Sequence, residues 1–211
     1  MQKIQKLQKA LERNNIIFSF AENCTEARLL AKTFLDDGCA VAVGGSLSLR
    51  QTGIQQMIEE GPYRYTNRYV KGTFSFDTSL DEKTVRKSYL DAYEADVYFT
   101  SANALTQNGE LVYVDGQGNR ISAIAFGPRK VVNVVGINKI VPDLPAAFER
   151  IACVAAPANN RRYERATPCV KLGKCVQCAS PQRGCSDYMI VSHQKEKERM
   201  YVILVNETLG F

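Results

Sequence analysis

The sequence holds a single histidine, His193, among 211 residues. That excludes an HExxH zinc site and any centre that needs two imidazoles. No apolar run approaches the ~20 residues that cross a bilayer. The opening MQKIQKLQKALERNN is charged and amphipathic, with no apolar signal-peptide core after it. No membrane association is therefore expected, and the expected address is the cytoplasm. Neither GxGxxG nor a P-loop occurs, so NAD and ATP motifs are both missing. There is no internal repeat. With 45% hydrophobic and 23% charged residues, the composition is that of a globular chain and not of a disordered or fibrous one. A single elaborated domain over residues 1–211 is expected.

What is present is unevenly spread. The net charge of +5 comes from one segment, 159–199. It holds nine basic residues (Arg161, Arg162, Arg165, Lys171, Lys174, Arg183, Lys195, Lys197, Arg199) and four acidic ones (Glu164, Asp187, Glu196, Glu198), while the rest is balanced. So local an excess does not make a generic polyanion binder. Of the seven cysteines, Cys24, Cys39 and Cys153 sit among apolar neighbours and read as small core residues. Cys169, Cys175, Cys178 and Cys185 crowd into the same basic segment, an insertion at about 159–187. In a cytosolic chain such a group indicates a metal or redox site more than a disulfide pair.

Helical spacing of Ile4, Leu7 and Leu11 predicts a first helix, and residues 16–20 a short strand. Thr25 is placed to cap a helix running to Leu35. CAVAVGG reads as a buried strand, 46–60 as one helix, and 61–80 as irregular, its tyrosines packing as core or lid. A helix capped by Ser79 or Asp81 follows. DVYFTS, ELVYVD, ISAIAF and VVNVV are four strand candidates. Pro142 and Asp143 open a helix through Cys153, and YVILVNE is a last strand. Alternating helices and apolar strands predict an α/β fold with a largely parallel central sheet flanked by helices.

Two turns at strand ends carry candidate chemistry. Gly44 and Gly45 let backbone amides approach a ligand closely, and Ser46 can cap the helix that follows. Thr100, Ser101 and Asn103 crowd the end of the next strand, where open α/β sheets bind ligands. They suit a phosphate, carboxylate or hydroxyl. Glu110, just past the Asn108-Gly109 hairpin signal, and Asp115 are candidate bases or hydroxyl grips. Asn119, Arg120 and Lys139 extend the set, the last two as partners for an anion. The competing reading of each residue is a turn former or a surface charge.

VAVGGSLSLR, DVYFTSANALTQNGELVYVDGQGNR, FGPRKVVNVVGINKIVPDLPAAFERI, AAPANNRR, TPCVKLGKC and VILVNETLGF together resemble the lactate-utilisation (LUD) domain family, and its short cysteine-bearing members in particular. The resemblance implies a fold like ribose-5-phosphate isomerase, glucosamine-6-phosphate deaminase and the CoA transferases. It also implies a place near a multi-subunit system that oxidises lactate with iron–sulfur partners. On it, Gly44, Gly45 and Ser46 match a first ligand loop. Thr100, Ser101, Asn103 and Glu110 match a second, and 116–120 a third. The four-cysteine insertion departs from the core family.

These readings combine into an expectation of a protein of small organic-acid metabolism. It would hold an anionic small molecule at the strand ends, with Glu110 as base. Cys169, Cys175, Cys178 and Cys185 would hold one centre, zinc or an iron–sulfur cluster; the family's redox association points to 4Fe–4S. Partner subunits of a redox complex and a homo-oligomer are both compatible with this. One alternative keeps the fold without redox chemistry: an isomerase or CoA-transferase-like enzyme in which Glu110 abstracts a proton or attacks a thioester. A third is a zinc-knuckle nucleic-acid module, which leaves the α/β fold unexplained.

Overall fold

A computed structural model describes residues 2–211 apart from 71, 72, 74 and 76; those four belong to the expected irregular stretch 61–80 and lie outside the description. Helix α1 (Gln2–Arg13) leads into β1 (Ile17–Ala21), α2 (Cys24–Lys32), β2 (Val41–Val43), α3 (Leu47–Gln51) and α4 (Ile54–Glu60). After the irregular stretch come α5 (Glu82–Leu90), β3 (Val97–Thr100), β4 (Ala104–Thr106), β5 (Leu111–Asp115), α6 (Asn119–Ala125), β6 (Lys130–Gly136) and β7 (Ile140–Val141). A long helix follows, made of α7 (Leu144–Arg150), one π-type stretch (Ile151–Ala155) and α8 (Ala156–Arg162). The short α9 (Pro168–Leu172), β8 (Asp187–Val191) and β9 (Met200–Val205) complete the order.

Five strands form the central sheet in the order β1-β9-β6-β3-β2, and every pair is parallel. Its apolar strands are covered on both faces, as the composition of β6 and β9 requires. Alternation assigns the faces. Val131, Val135, Val202 and Leu204 pack with Leu7 and Leu11 of α1. Val132, Val134, Ile203 and Val205 pack with Ala27, Ala31, Leu49 and Ile54 of α2–α4. Full burial of each such Val, Leu or Ile is worth roughly 1.5–3 kcal/mol.

A second sheet, β7-β4-β5-β8, lies over the α1 face. Leu105, Leu111 and Tyr113 share the core of that face. Val112 and Val114 turn the other way, onto Ala147, Ile151 and Ala156 of the long helix and onto Cys185. The β4–β5 hairpin turns at Gly109, whose φ of 83° suits glycine.

Several expectations are corrected. ISAIAF belongs largely to helix α6, not to a strand. A short apolar run fits either period, and the Asp115 carboxylate settles it by accepting the amides that open the helix. The expected 46–60 helix breaks into α3 and α4 at Gly53, which takes φ +71°. Asn23, not Thr25, caps α2 by accepting from the Glu26 amide at 3.0 Å, and the helix ends at Lys32. Cys24 and Cys39 do pack against the core, but Cys153 is exposed on the π-type stretch.

The π-type stretch has a local cause. The Ala156 amide reaches back five residues to the Ile151 carbonyl, and Pro157 has no N–H to offer. The Ala152 carbonyl thereby loses its helical donors and accepts instead from the Cys175 amide at 2.8 Å. The cysteine segment is pinned to the helix at this point.

Candidate functional site

The parallel strands point their carboxyl ends at one cavity of about 380 Å³, the position expected for ligands in open α/β sheets. That volume is in the range of small-ligand sites, ~300–1,000 Å³. Turns after four strands build it. After β2, Gly44 and Gly45 lead to Ser46, whose hydroxyl accepts from the Leu49 amide at 3.4 Å. Gly44 has to be glycine: a Cβ there would stand 2.8 Å from Thr100 Oγ1 and 2.9 Å from both Tyr98 Oη and Arg120 Cδ. The Thr100 hydroxyl itself is buried and has no hydrogen-bond partner among the described residues.

The loop 101–103 after β3 is fastened by Arg120. Its Nη1 donates to the Ser101 carbonyl at 2.7 Å, and its Nη2 to Asn103 Oδ1 at 2.9 Å and the Val114 carbonyl at 2.7 Å. Asn103 Oδ1 also accepts from the Val114 amide at 3.0 Å. The Asp115 carboxylate ends β5 and gathers four amides, from Gly116, Gln117, Arg120 and Ile121. It lies 4.0 Å from Arg120 Nε, with both side chains only 12% exposed. Arg120 and Asp115 thus hold three turns in register, and Asp115 has little capacity left for a substrate proton.

Lys139 follows β6 and is different. It is 4% exposed and lines the cavity. Its Nζ donates to Ser101 Oγ at 2.9 Å, Ser48 Oγ at 3.0 Å and the Ala102 carbonyl at 3.3 Å. All three partners are neutral. Burial, reinforced by Arg150, Arg120 and Arg162, brings its pKa from 10.5 down to about 7. Arg150 packs alongside, donating to the carbonyls of Asn103 at 2.6 Å and Asn138 at 3.2 Å.

The far wall is arginine stacked on tyrosine. Arg68 lies 4.8 Å from the Tyr69 ring centroid and 5.1 Å from that of Tyr89, and it donates to the Val43 carbonyl at 3.1 Å. Arg162 lies 4.5 Å from the Tyr163 ring and Arg165 5.2 Å from it. The cavity lining counts five basic side chains, Arg68, Arg120, Lys139, Arg162 and Arg165, and one carboxylate, Asp115.

Of the residues singled out from sequence, Gly45, Ser46, Ser101, Asn103, Asp115, Asn119, Arg120 and Lys139 line this cavity. Gly44 and Thr100 are not in the lining, although each adjoins a residue that is, Gly45 and Ser101. Glu110 is not with them. It immediately precedes β5, which Asp115 ends, and five residues at ~3.4 Å each put it roughly 17 Å away. There its carboxylate accepts from Thr106 Oγ1 at 2.6 Å inside the hairpin turn. Sequence reasoning missed Arg68, Arg162, Tyr163 and Arg165 as wall residues. The basic excess over 159–199 was the only trace of Arg162 and Arg165, and Arg68 left none.

The cysteine segment reaches the same wall through Gly184, where a Cβ would collide with the Arg165 guanidinium. Cys185 is buried. Burial pushes its thiol up, Arg183 pulls it down, and the nearby Cys175 and Cys178 add smaller upward pushes. The buried Cys169 has Thr167 Oγ1 at 3.2 Å and Asn160 Nδ2 at 3.4 Å from its sulfur. Among the described residues no three His, Cys, Asp or Glu side chains stand in a metal-holding group. Among the same residues, no helix is long and apolar enough to cross a membrane.

A family model described as the LUD domain matches residues 4–205. Four chains of solved structure also match. One is a DUF162 family protein from Deinococcus radiodurans, 13% identical, with a TM-score of 0.50 over 97% of this chain and 96% of that one. At that identity the likeness shows the fold. No curated protein matches.

Proposed function

We propose, from the premise that the chain belongs to the LUD domain family, that it binds a small anionic metabolite in the cavity at the strand ends. The observation that carries this reading is the composition of the lining, four arginines and Lys139 against one carboxylate side chain that is already committed to four amides. Partly desolvated guanidinium groups bind carboxylate or phosphate well because charge-assisted hydrogen bonds gain strength away from water. The candidate ligands are organic acids of the lactate type and phosphorylated metabolites. A thermal-denaturation panel of lactate, pyruvate, phosphate and sugar phosphates tests it. One class should raise Tm saturably and in a salt-sensitive way; no shift from any anion retires the reading.

A redox role in organic-acid metabolism is the finer proposal. It calls for an electron acceptor, and the four cysteines, or a partner subunit, would supply it. Support comes from the proximity of Cys175, Cys178 and Cys185 and from the basic residues around them. For a zinc or 4Fe–4S centre to form, Cys169 would have to be brought together with the other three cysteines, so no step is routed through it. Anaerobic purification, with metal and sulfide analysis and a visible spectrum, tests the centre. The isomerase or CoA-transferase alternative loses its base, because Glu110 stands outside the cavity. The nucleic-acid alternative draws less on Arg162 and Arg165, which line the cavity.

A further inference from the structure

We infer that Lys139 is a covalent site, whose amine condenses with the carbonyl carbon of a small anionic carbonyl compound held in the cavity to form an imine. The inference rests on the anion reading above and adds a reaction to it. Four features converge on this lysine. Lys139 lines the cavity, and its Nζ bonds to Ser101 and Ala102, which line it too. Its hydrogen-bond partners are two hydroxyls and a carbonyl, and among the described residues no carboxylate pairs with it. Arg120 from α6, Arg150 from α7 and Arg162 from α8 face it, and all three disfavour the ammonium form. The Ser48 and Ser101 hydroxyls touch the amine and can pass protons to and from it.

A lysine at its ordinary pKa presents roughly one neutral amine in 10³ at pH 7. With its pKa brought to about 7, Lys139 is half neutral there, and desolvation is a known way of making a lysine nucleophilic. The lone pair forms the C–N bond as the carbonyl π bond opens, and the oxygen takes a proton. The resulting carbinolamine loses water, made from that oxygen and the two amine hydrogens, and leaves the C=N bond. Atoms balance, and neither oxidant nor reductant takes part. Two sources share the needed chemistry of a carbonyl close to an anionic group: a 2-oxo acid, with its carboxylate, and a phosphorylated triose, with its phosphate.

The test uses the full chain at pH 7 with sodium cyanoborohydride. One arm contains pyruvate and the other dihydroxyacetone phosphate, and intact mass and peptide mapping follow. Tm is read on matched samples without the reductant. The expected result is one adduct per chain at Lys139, in the arm that identifies the source. It should disappear in Lys139→Arg and fall about tenfold from pH 8 to pH 6, as the neutral fraction does. A saturable rise in Tm with no adduct at Lys139 overturns the covalent site and leaves the anion reading standing. Adducts spread over surface lysines, equally in Lys139→Arg, also overturn it. Neither adduct nor Tm shift in either arm overturns the covalent site, and the anion reading falls with it when the wider panel above is silent as well. The wild-type mapping decides the matter even if Lys139→Arg does not fold.

Discussion

The Tyr113 hydroxyl donates to Asn133 Oδ1 at 2.8 Å, between the two sheets. Tyr113 belongs to β5 of the smaller sheet and Asn133 to β6 at the centre of the larger one, and both side chains are fully buried. The Asn133 amide nitrogen donates in turn to the Tyr201 carbonyl at 3.3 Å, which orients the acceptor. Tyr113→Phe keeps the ring and strands the amide oxygen. We expect a loss of about 1–3 kcal/mol, the cost of a buried acceptor left unsatisfied. Urea unfolding measures it. In an Asn133→Val background the same change should cost less; an equal cost would show that the bond contributes nothing.

Gly44→Ala should be disproportionately harmful for one methyl group. Three neighbours stand within 2.9 Å of the added carbon, and two of them, Tyr98 and Thr100, are buried on β3. Overpacking of this kind costs typically ~1–3 kcal/mol. Because Arg120 is the third neighbour, the loop 101–103 should loosen as well. Denaturation and the thermal response to anions should both worsen in Gly44→Ala, and an unchanged anion response would separate the turn from the site.

Lys139 makes stability depend on pH. Its folded pKa, about 7, lies below the unfolded value of 10.5, so between those limits the unfolded chain binds more protons. Stability contributed by this group therefore rises as pH goes from about 7 toward 10.5. Cys24 works in the opposite sense: burial, helped by Glu207, lifts its thiol from 9.0 to about 11, which costs stability as pH rises through that interval. Comparison with Lys139→Met isolates the lysine. The difference in unfolding free energy between wild type and variant should change in favour of wild type from pH 7 to pH 9.5. A constant difference would contradict the low pKa.

Pro157→Ala should release the cysteine segment. The new N–H restores a helical donor close to the Ala152 carbonyl, which now accepts from the Cys175 amide at 2.8 Å. With a net value of ~1 kcal/mol for the displaced bond, exchange of the Cys175 amide should speed up roughly fivefold. Hydrogen exchange by mass spectrometry on peptides across 170–180 reads this directly. Unaltered exchange would show that the segment is held by other contacts.

The parallel sheet was legible because β6 and β9 are β-branched, apolar and bounded by turn residues, so their burial on both faces leaves little choice. The turns at 44–46 and 100–103 were legible because glycine and small polar residues follow such strands. Three features were not. ISAIAF carries no signal that separates helix from strand, since the deciding group, Asp115, lies outside the run. Glu110 looked like a site residue because it is close to Asn103 in sequence, yet a β-hairpin reverses the chain between them and sends it to the opposite end of the strands. Arg68, Arg162 and Arg165 come from an irregular stretch and a helix end that tertiary packing alone brings together.

Strand β9 lies between β1 and β6 in the central sheet, with Ile17 opposite Tyr201 and Val132 opposite the same residue. The middle of the sheet is therefore supplied from far along the chain. As the ribosome delivers the polypeptide, β1 and β6 emerge with their facing edges open, and neither can pair as in the finished sheet until residues 200–205 have left the exit tunnel. Parallel pairing over such a separation is slow to form, and unpaired edges invite association with other chains. Nascent chains stalled before residue 200 should accordingly engage holding chaperones, whereas chains stalled on an appended linker long enough to bring residues 200–205 out of the tunnel should be released from them.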